Sequence, residues 1–416
     1  MIIVSGLFFI FGFVTWLNGI LIPYLQIACE LTNFQALLVA FAFYISYTIM
    51  ALPAAWVLNR TGLKGGMMVG LWIMAIGTLI FIPAAYMRSY ATFLVGLFVM
   101  GTGLAVLQTS SNPYITIIGP HESAARRISI LGICNKLAGA VAPLILAYFI
   151  LSDGDAFVEK LNTLDAVARE SALNNLARRV VNPYLVMTVI LFVLGIAIRL
   201  SPLPDLEQEQ DADVNGFMEK TKRSILEYPH LILGAIALFF YVGAEVIAGD
   251  TIIRYGISIG IEIDRAKAFT SYTMLTMVTG YILGIILIPK IMSQRKVLII
   301  SAVLGIVFAF FTVLTTGLTS VIFVALFGLS NAIVWPAIWP LAIHNLGKFI
   351  NKGSALLIMA IAGGALIPLL WGKLADLFGS REAYWIMIPC YLVILFYATR
   401  GYKLKSWRIS PGKQKP

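Results

Sequence analysis

Val297–Leu314 reads VLIISAVLGIVFAFFTVL, eighteen consecutive residues without a charge, entered from Arg295-Lys296 and left through Thr315-Thr316-Gly317. As a helix rising 1.5 Å per residue it extends roughly 27 Å, close to the hydrocarbon thickness of a bilayer. It is apolar on every side, so it has no face to offer water. With its flanks, 295–315, it reads as a membrane span. The same reading applies at 3–28, 34–58, 66–86, 91–118, 128–151 and 183–201, and again at 230–256, 266–290, 319–345, 352–372 and 382–400. Twelve runs result, and an even number puts both termini on one side.

Composition agrees with that reading. Of the 416 residues 60% are apolar and 12% charged, against about 25% charged in soluble domains. A water-solvated fold cannot hide so much apolar surface. The net charge of +10 does not point to nucleic acid, because the basic residues sit at the ends of apolar runs and not in an aromatic-interleaved patch. Cys29, Cys134 and Cys390 form no CxxC pair and read as small apolar fillers. The first apolar run is too long for a cleavable signal and is expected to be a span itself.

Basic residues orient the chain. Arg60, Lys64, Arg126, Arg127, Arg199, Lys220, Lys222, Arg223, Lys290, Arg295, Lys296, Lys348, Lys352, Arg400, Lys403, Lys405, Arg408, Lys413 and Lys415 all fall on the side of the termini, 19 of the 30 basic residues. The other side holds ten, partly offset by Asp153, Asp155, Glu159, Asp165, Glu262 and Asp264. Both termini are therefore expected in the cytoplasm. The Asp/Glu-rich stretch from about Ser201 to Pro229 divides the runs six and six and reads as a linker. The segment 152–182 carries helical periodicity and is expected to add a short surface helix.

A shift of 231 residues lays Leu7-Phe8-Phe9 on Leu238-Phe239-Phe240, Gly12 on Gly243, Gly19 on Asp250 and Tyr24 on Tyr255. Two parallel six-helix halves related by an axis along the membrane normal would produce such an echo.

Charges deep in a span cost about 2.5–3.5 kcal/mol or more each, which makes them candidates for function. Lys136 lies nine residues past Arg127, roughly 13 Å into the membrane, a stretch for snorkelling. It reads either as a structural ion pair or as part of a central pathway. Glu245, roughly 22 Å into the seventh run, is the acid set well inside an apolar run, and so its natural partner or the coupling group. Asp250 follows five residues later, nearer the outer end, either solvated or coupled to a cation. Gly243, Gly249 and Gly256 allow the helix to bend there.

Gln108, Ser111, Asn112 and Thr116 repeat at three- and four-residue spacing and share one face of the fourth run. Amides that donate and accept suit sugar hydroxyls; interhelical glue is the alternative. Asn18 and Asn135 are placed to extend such a pocket, and Tyr44, Tyr47 and Thr48 make a similar stripe on the second run. From the second half Asn331, Trp335 and Trp339 add amide and aromatic surface, for stacking on a pyranose ring or for packing. His121, His230 and His344 all fall near helix ends, and no zinc-protease, nucleophile-elbow or phosphate-loop motif occurs. Catalysis is not expected, nor a metal site.

Several stretches resemble the fucose/glucose/galactose permeases of the major facilitator superfamily along nearly the whole chain: TWLNGILIPYLQ (15–26), LTNFQALLVAFAFYISY (31–47), GLAVLQTSSNPYITIIGP (103–120), RRISILGICNK (126–136), LFFYVGAEVIAGDTIIRYG (238–256), WPAIWPLAIHNLG (335–347) and KGSALLIMAIAGGALIPLLWGKLAD (352–376). The resemblance implies sugar–cation symport by alternating access, driven by protons in the fucose branch. The chain departs from that branch at Gly19 and Gln108, where its acids stand, and at Gly132, where one of its two amides stands. Gln108 and YVGAEV are more similar to the glucose/galactose branch. Lys136 with Ala248-Gly249-Asp250 is similar to relatives linked to N-acetylglucosamine.

The expected protein is thus an all-α membrane protein of twelve transmembrane helices in the major facilitator fold. It comprises a six-helix bundle at 1–201, a cytoplasmic linker at 202–229, a second bundle at 230–400 and a basic tail at 401–416. It is expected in a bacterial inner membrane, importing a hexose-type sugar by symport with a proton or sodium ion. No other cofactor and no nucleic-acid partner are expected, and a monomer suffices. Substrate contacts are expected from Asn18, Gln108, Asn112, Asn135, Lys136, Asn331 and Trp335, and cation coupling from Glu245 and Asp250. The alternative is an exporter of drugs or other metabolites with the same fold.

Overall fold

Backbone N–H and C=O groups in hydrocarbon have no water to bond, so a spanning chain must pair them within itself. The apolar runs accordingly form helices. The computed structural model describes residues 2–117, 124–203, 224–288, 291–346, 349–404 and 406–407, and among the described residues there is no strand. Twelve spans of the described residues are long and apolar enough to cross a membrane: α1 Ile3–Ala28, α2 Asn33–Met50, α3 Arg60–Met87, α4 Tyr90–Ser111, α5 Ile130–Thr163, α6 Ala166–Leu200, α7 Pro229–Asp250, α8 Ile263–Leu287, α9 Gln294–Leu314, α10 Gly317–Ile343, α11 Lys352–Phe378 and α12 Glu382–Lys403. Their outward faces are exposed and apolar, among them Val189, Ile190, Phe192 and Val193 on α6, and Ile282, Ile285 and Ile286 on α8. In water such a belt would drive aggregation; lipid solvates it. The chain is a multi-pass membrane protein.

The structure departs from the sequence expectations at several boundaries. The loop expected between the second and third runs is absent as a loop. Helix continues from Leu38 to Met87, with Gly62 alone out of helical geometry at φ 69° and ψ 176°. That backbone conformation suits glycine, so Gly62, in the first turn of α3, makes the kink that redirects the chain after α2. Where one surface helix was expected at 152–182 there are two, Gly154–Thr163 and Ala166–Arg178. The second is capped by Asp165, whose carboxylate accepts from Ala168 N at 2.8 Å. Most of the polar stretch between the sixth and seventh spans (204–223), and the tail beyond 407, lie outside the described residues.

Several of the described spans are interrupted, four of them at or next to candidate residues or small-residue runs. The first helix breaks at Leu17 and restarts at Asn18. The seventh ends at Asp250 and resumes at Ile252; the break falls at Thr251 and not at any of the flanking glycines. In α10 the helix stops at Asn331 and resumes at Val334, and α11 tightens to a 3₁₀ turn at Ala360–Ala362. Interrupted helices are tolerated in a membrane where protein surrounds them or where they line a site. Asn18, Asp250 and Asn331 each sit directly beside such a break.

Candidate functional site

Lys136 and Glu245 meet where the first six spans pack on the second six. The Lys136 Nζ lies 2.8 Å from Glu245 Oε1, and the two side chains are 9% and 12% exposed. One comes from α5 and the other from α7. The ammonium also lies 4.4 Å from the centroid of the Trp16 ring, a distance at which the negative face of the indole attracts it.

Small residues let this cluster close. A Cβ on Gly139 would come within 2.4 Å of Trp16 Cδ1, and one on Gly249 within 2.3 Å of Trp16 Cζ3. The indole of α1 is therefore clamped between glycines of α5 and α7, with its Nε1 buried and unpartnered. Tyr241 and Tyr281 lie within electrostatic reach of Glu245, and Tyr281 packs on Gly132 of α5. Sequence reasoning missed Trp16 and both tyrosines. The available signal was Trp16 two residues before Asn18, in the same span as the candidate amide.

Asp250 is fully buried and neither carboxylate oxygen has a hydrogen-bond partner. The solvated reading of its place near the span end is therefore overturned. Glu245 and Tyr44 of the opposite half are its electrostatic neighbours. Arg254, one turn on and 5% exposed, directs its guanidinium elsewhere: Nη1 donates to Asn33 O at 3.4 Å, and its centre lies 5.8 Å from the Trp371 ring. An ionised Asp250 would thus be a charge without a counter-ion away from water, a state that costs several kcal/mol.

The other candidates scatter. Asn18 is buried with Nδ2 unpartnered, as is the Ser111 Oγ. Gln108 is half-buried on α4, and the side chain of Asn112 lies outside the described residues. Asn135 turns its amide to the Phe8 carbonyl at 3.4 Å. Asn331 is held by its own half, accepting from the Tyr391 hydroxyl at 2.9 Å, and only its Nδ2 is left over. Trp335 stacks on Trp339 at 5.4 Å between centroids. The structure joins Lys136, Glu245 and Asp250 in one electrostatic cluster. Trp335 reaches it through Tyr241, whose ring centroid lies 6.4 Å away and whose side chain neighbours Glu245, while the Asn135 amide is turned to the Phe8 carbonyl.

The profile of the Major Facilitator Superfamily matches residues 4–362. A glucose/galactose transporter of Brucella abortus is 37% identical over 400 residues, covering 95% of this chain and 92% of that protein. The chain belongs to the major facilitator superfamily, within its fucose/glucose/galactose permease family. The L-fucose-proton symporter of Escherichia coli K12 is 30% identical, with 95% and 91% of the two chains covered. The crystal structure of the transporter FucP in the outward conformation superposes with a TM-score of 0.72 at 29% identity, covering 95% of this chain and 97% of that one.

Against that kinship Gly19 stands out. A Cβ there would meet Thr270 Oγ1 at 2.6 Å and Gly249 O at 3.2 Å. Thr270 Oγ1 is committed to that same carbonyl at 2.7 Å. The α1 position paired with Asp250 by the 231-residue shift is thus filled by the opposite half and has no room for a carboxylate. Gly19→Asp is expected to destabilise the protein by about 1–3 kcal/mol through overpacking. Thermal unfolding in detergent checks this, and a melting curve unchanged from the parent would refute the close packing.

Proposed function

We propose that this permease imports a neutral hexose-type sugar, glucose/galactose or N-acetylglucosamine, together with one proton or sodium ion. The observation that carries the reading is the charge balance of the buried cluster. Lys136 and Glu245 neutralise each other at 2.8 Å, and Asp250 remains, fully buried and unpartnered. The buried guanidinium one turn on, Arg254, is turned to the Asn33 carbonyl and not to Asp250, and a site with one carboxylate left unpaired takes up one monovalent cation and an uncharged solute. The kinship with a protein named glucose/galactose transporter supports the sugar class, and the fucose relative's name supports a proton as the partner ion.

In this reading the unpartnered Trp16 Nε1, Asn18 Nδ2 and Ser111 Oγ, with Gln108 on α4, offer hydrogen bonds to sugar hydroxyls. From the second half Asn331 and Trp335 contribute when the halves rock together around the solute. Lys136 bonds the sugar only in exchange for its contact with Glu245. The face bearing the termini is cytoplasmic, following the basic residues, and the protein sits in a bacterial inner membrane. It works as a monomer, performs no covalent chemistry, and needs neither metal nor organic cofactor.

The test is uptake of radiolabelled glucose, galactose, fucose and N-acetylglucosamine into proteoliposomes under imposed proton or sodium gradients. Accumulation of one of the first, second or fourth sugars above its external concentration is expected, under one of the two gradients. Reversal-potential measurements are expected to give one charge per sugar. Failure of all four sugars under both gradients would overturn the reading in favour of another solute, and a two-charge stoichiometry would overturn the cluster's charge balance as its cause.

A further inference from the structure

On the face opposite the termini, two aspartates make the same contact in opposite directions. Asp155, in the helix Gly154–Thr163 that forms the outer end of α5, accepts from Ile263 N at 2.7 Å and Asp264 N at 2.8 Å. Those amides open α8. Asp376, near the end of α11, accepts from Asn33 N at 3.1 Å and Phe34 N at 2.8 Å, the amides that open α2. Counted within each half, α5 corresponds to α11 and α2 to α8. The first half therefore grips the second with Asp155, and the second grips the first with Asp376. We infer that this reciprocal pair, Asp155 and Asp376, is a latch that holds the face opposite the termini closed and must be released once in each transport cycle.

The chemistry suits a gate. The first N–H groups of a helix have no carbonyl within the helix to bond, and a carboxylate there also meets the positive end of the helix dipole. Each aspartate uses both oxygens, one per amide, so the grip fixes orientation as well as distance. Neighbouring residues allow the approach: Gly154 faces Ile263, and Gly372 faces Phe34 and the Asn33 carbonyl. The Asn33 carbonyl also takes the Arg254 donation, so the second-half side of that grip has two contacts on one residue. Both carboxylates reach the solvated end of the bundle, Asp376 exposed and Asp155 half-buried. Contacts of this kind in water are individually weak. Two of them bias a rocking motion toward closure without locking it. The residues are separate from the Lys136 cluster, so the inference does not depend on which solute is carried.

Spin labels report the gate directly, in a full-length chain with Cys29, Cys134 and Cys390 replaced by serine and reconstituted in nanodiscs. One pair at the exposed Glu159 and Arg265 spans the latched face; a second at the exposed Thr61 and Lys352 spans the face of the termini. Asp155→Asn and Asp376→Asn are each expected to raise the long-distance population of the first pair about two- to fivefold. The two sites share no partner, so the double variant is expected to show the product of the two, about four- to twenty-five-fold. The second pair is expected to shorten in step, because the halves rock as units. Two results would overturn the inference: distances unchanged in the double variant, or widening at the first pair with none of the matching closure at the second, which would mean local fraying. If the double variant does not fold, the single variants decide by the same criteria.

Discussion

Lys136→Met is expected to cut sugar uptake by about a hundredfold or more and to lower the melting temperature markedly. Removing one member of a buried ion pair leaves the other without compensation, at a cost of about 3–5 kcal/mol. Here the survivor would be Glu245, 12% exposed and 2.8 Å from the space the ammonium had filled. The same free energy, set against a transport barrier, is worth about two to nearly four powers of ten in rate. Loss of the ammonium also removes the cation from the Trp16 ring, loosening the wedge between α5 and α7. The double variant Lys136→Met/Glu245→Gln separates structure from function. It removes both charges, so its melting temperature is expected to return close to that of the parent. Its uptake is expected to stay low, because no switchable pair remains. A Lys136→Met protein that melts and transports like the parent would sink the claim that the pair holds the two halves. A double variant that regained full uptake would reduce the pair to a structural staple.

The parts of this molecule that were legible in the sequence are those fixed by local composition. Length and apolarity alone give the twelve spans, since lipid admits little else. The meeting of Lys136 and Glu245 was legible from depth, because two opposite charges far from water in one bundle have few other partners to find. What stayed hidden depends on how helices turn against each other. Gly62 looked like a loop residue because Asn59, Arg60 and Thr61 beside it are polar, yet one glycine at positive φ suffices to redirect a continuous helix. Asp250 looked close to solvent by its count along α7, but Tyr44 from the other half lies beside it and the site is sealed. Trp335 and Trp339, read either as a platform for a sugar or as packing, stack on each other, and the approach of Trp335 to Tyr241 at 6.4 Å is one that spacing along a single helix does not mark. Trp16 was marked only by its closeness to Asn18, because its role comes from two glycines, Gly139 and Gly249, more than a hundred residues apart in the chain. The latch aspartates were read only as charges offsetting basic neighbours or not at all, since their partners are backbone amides that no sequence pattern marks.

Asp250→Asn is expected to abolish concentrative uptake while leaving exchange of labelled for unlabelled sugar across the membrane. The prediction follows from the carboxylate's isolation. Both oxygens are buried and unpartnered, Lys136 is taken by Glu245, and Arg254 is turned to the Asn33 carbonyl. A carboxylate in that position is an uncompensated charge whenever it is ionised, so crossing the membrane with it empty is the costly leg of the cycle. Binding a cation removes the charge, and the cost is what ties movement of the halves to the ion gradient. Asparagine has nearly the same shape and is permanently neutral. The halves then rock with or without a cation, sugar equilibrates, and the gradient no longer drives accumulation. Glu245→Gln is expected to behave differently: it strands Lys136 as a buried cation, so exchange and accumulation should fall together. Counterflow and gradient-driven uptake, measured side by side on the two variants in proteoliposomes, distinguish these outcomes. Accumulation surviving in Asp250→Asn would exclude it as the coupling group. If Glu245→Gln alone kept exchange while losing accumulation, the coupling site would move to Glu245, and Lys136 would become its gate instead of its permanent counter-ion.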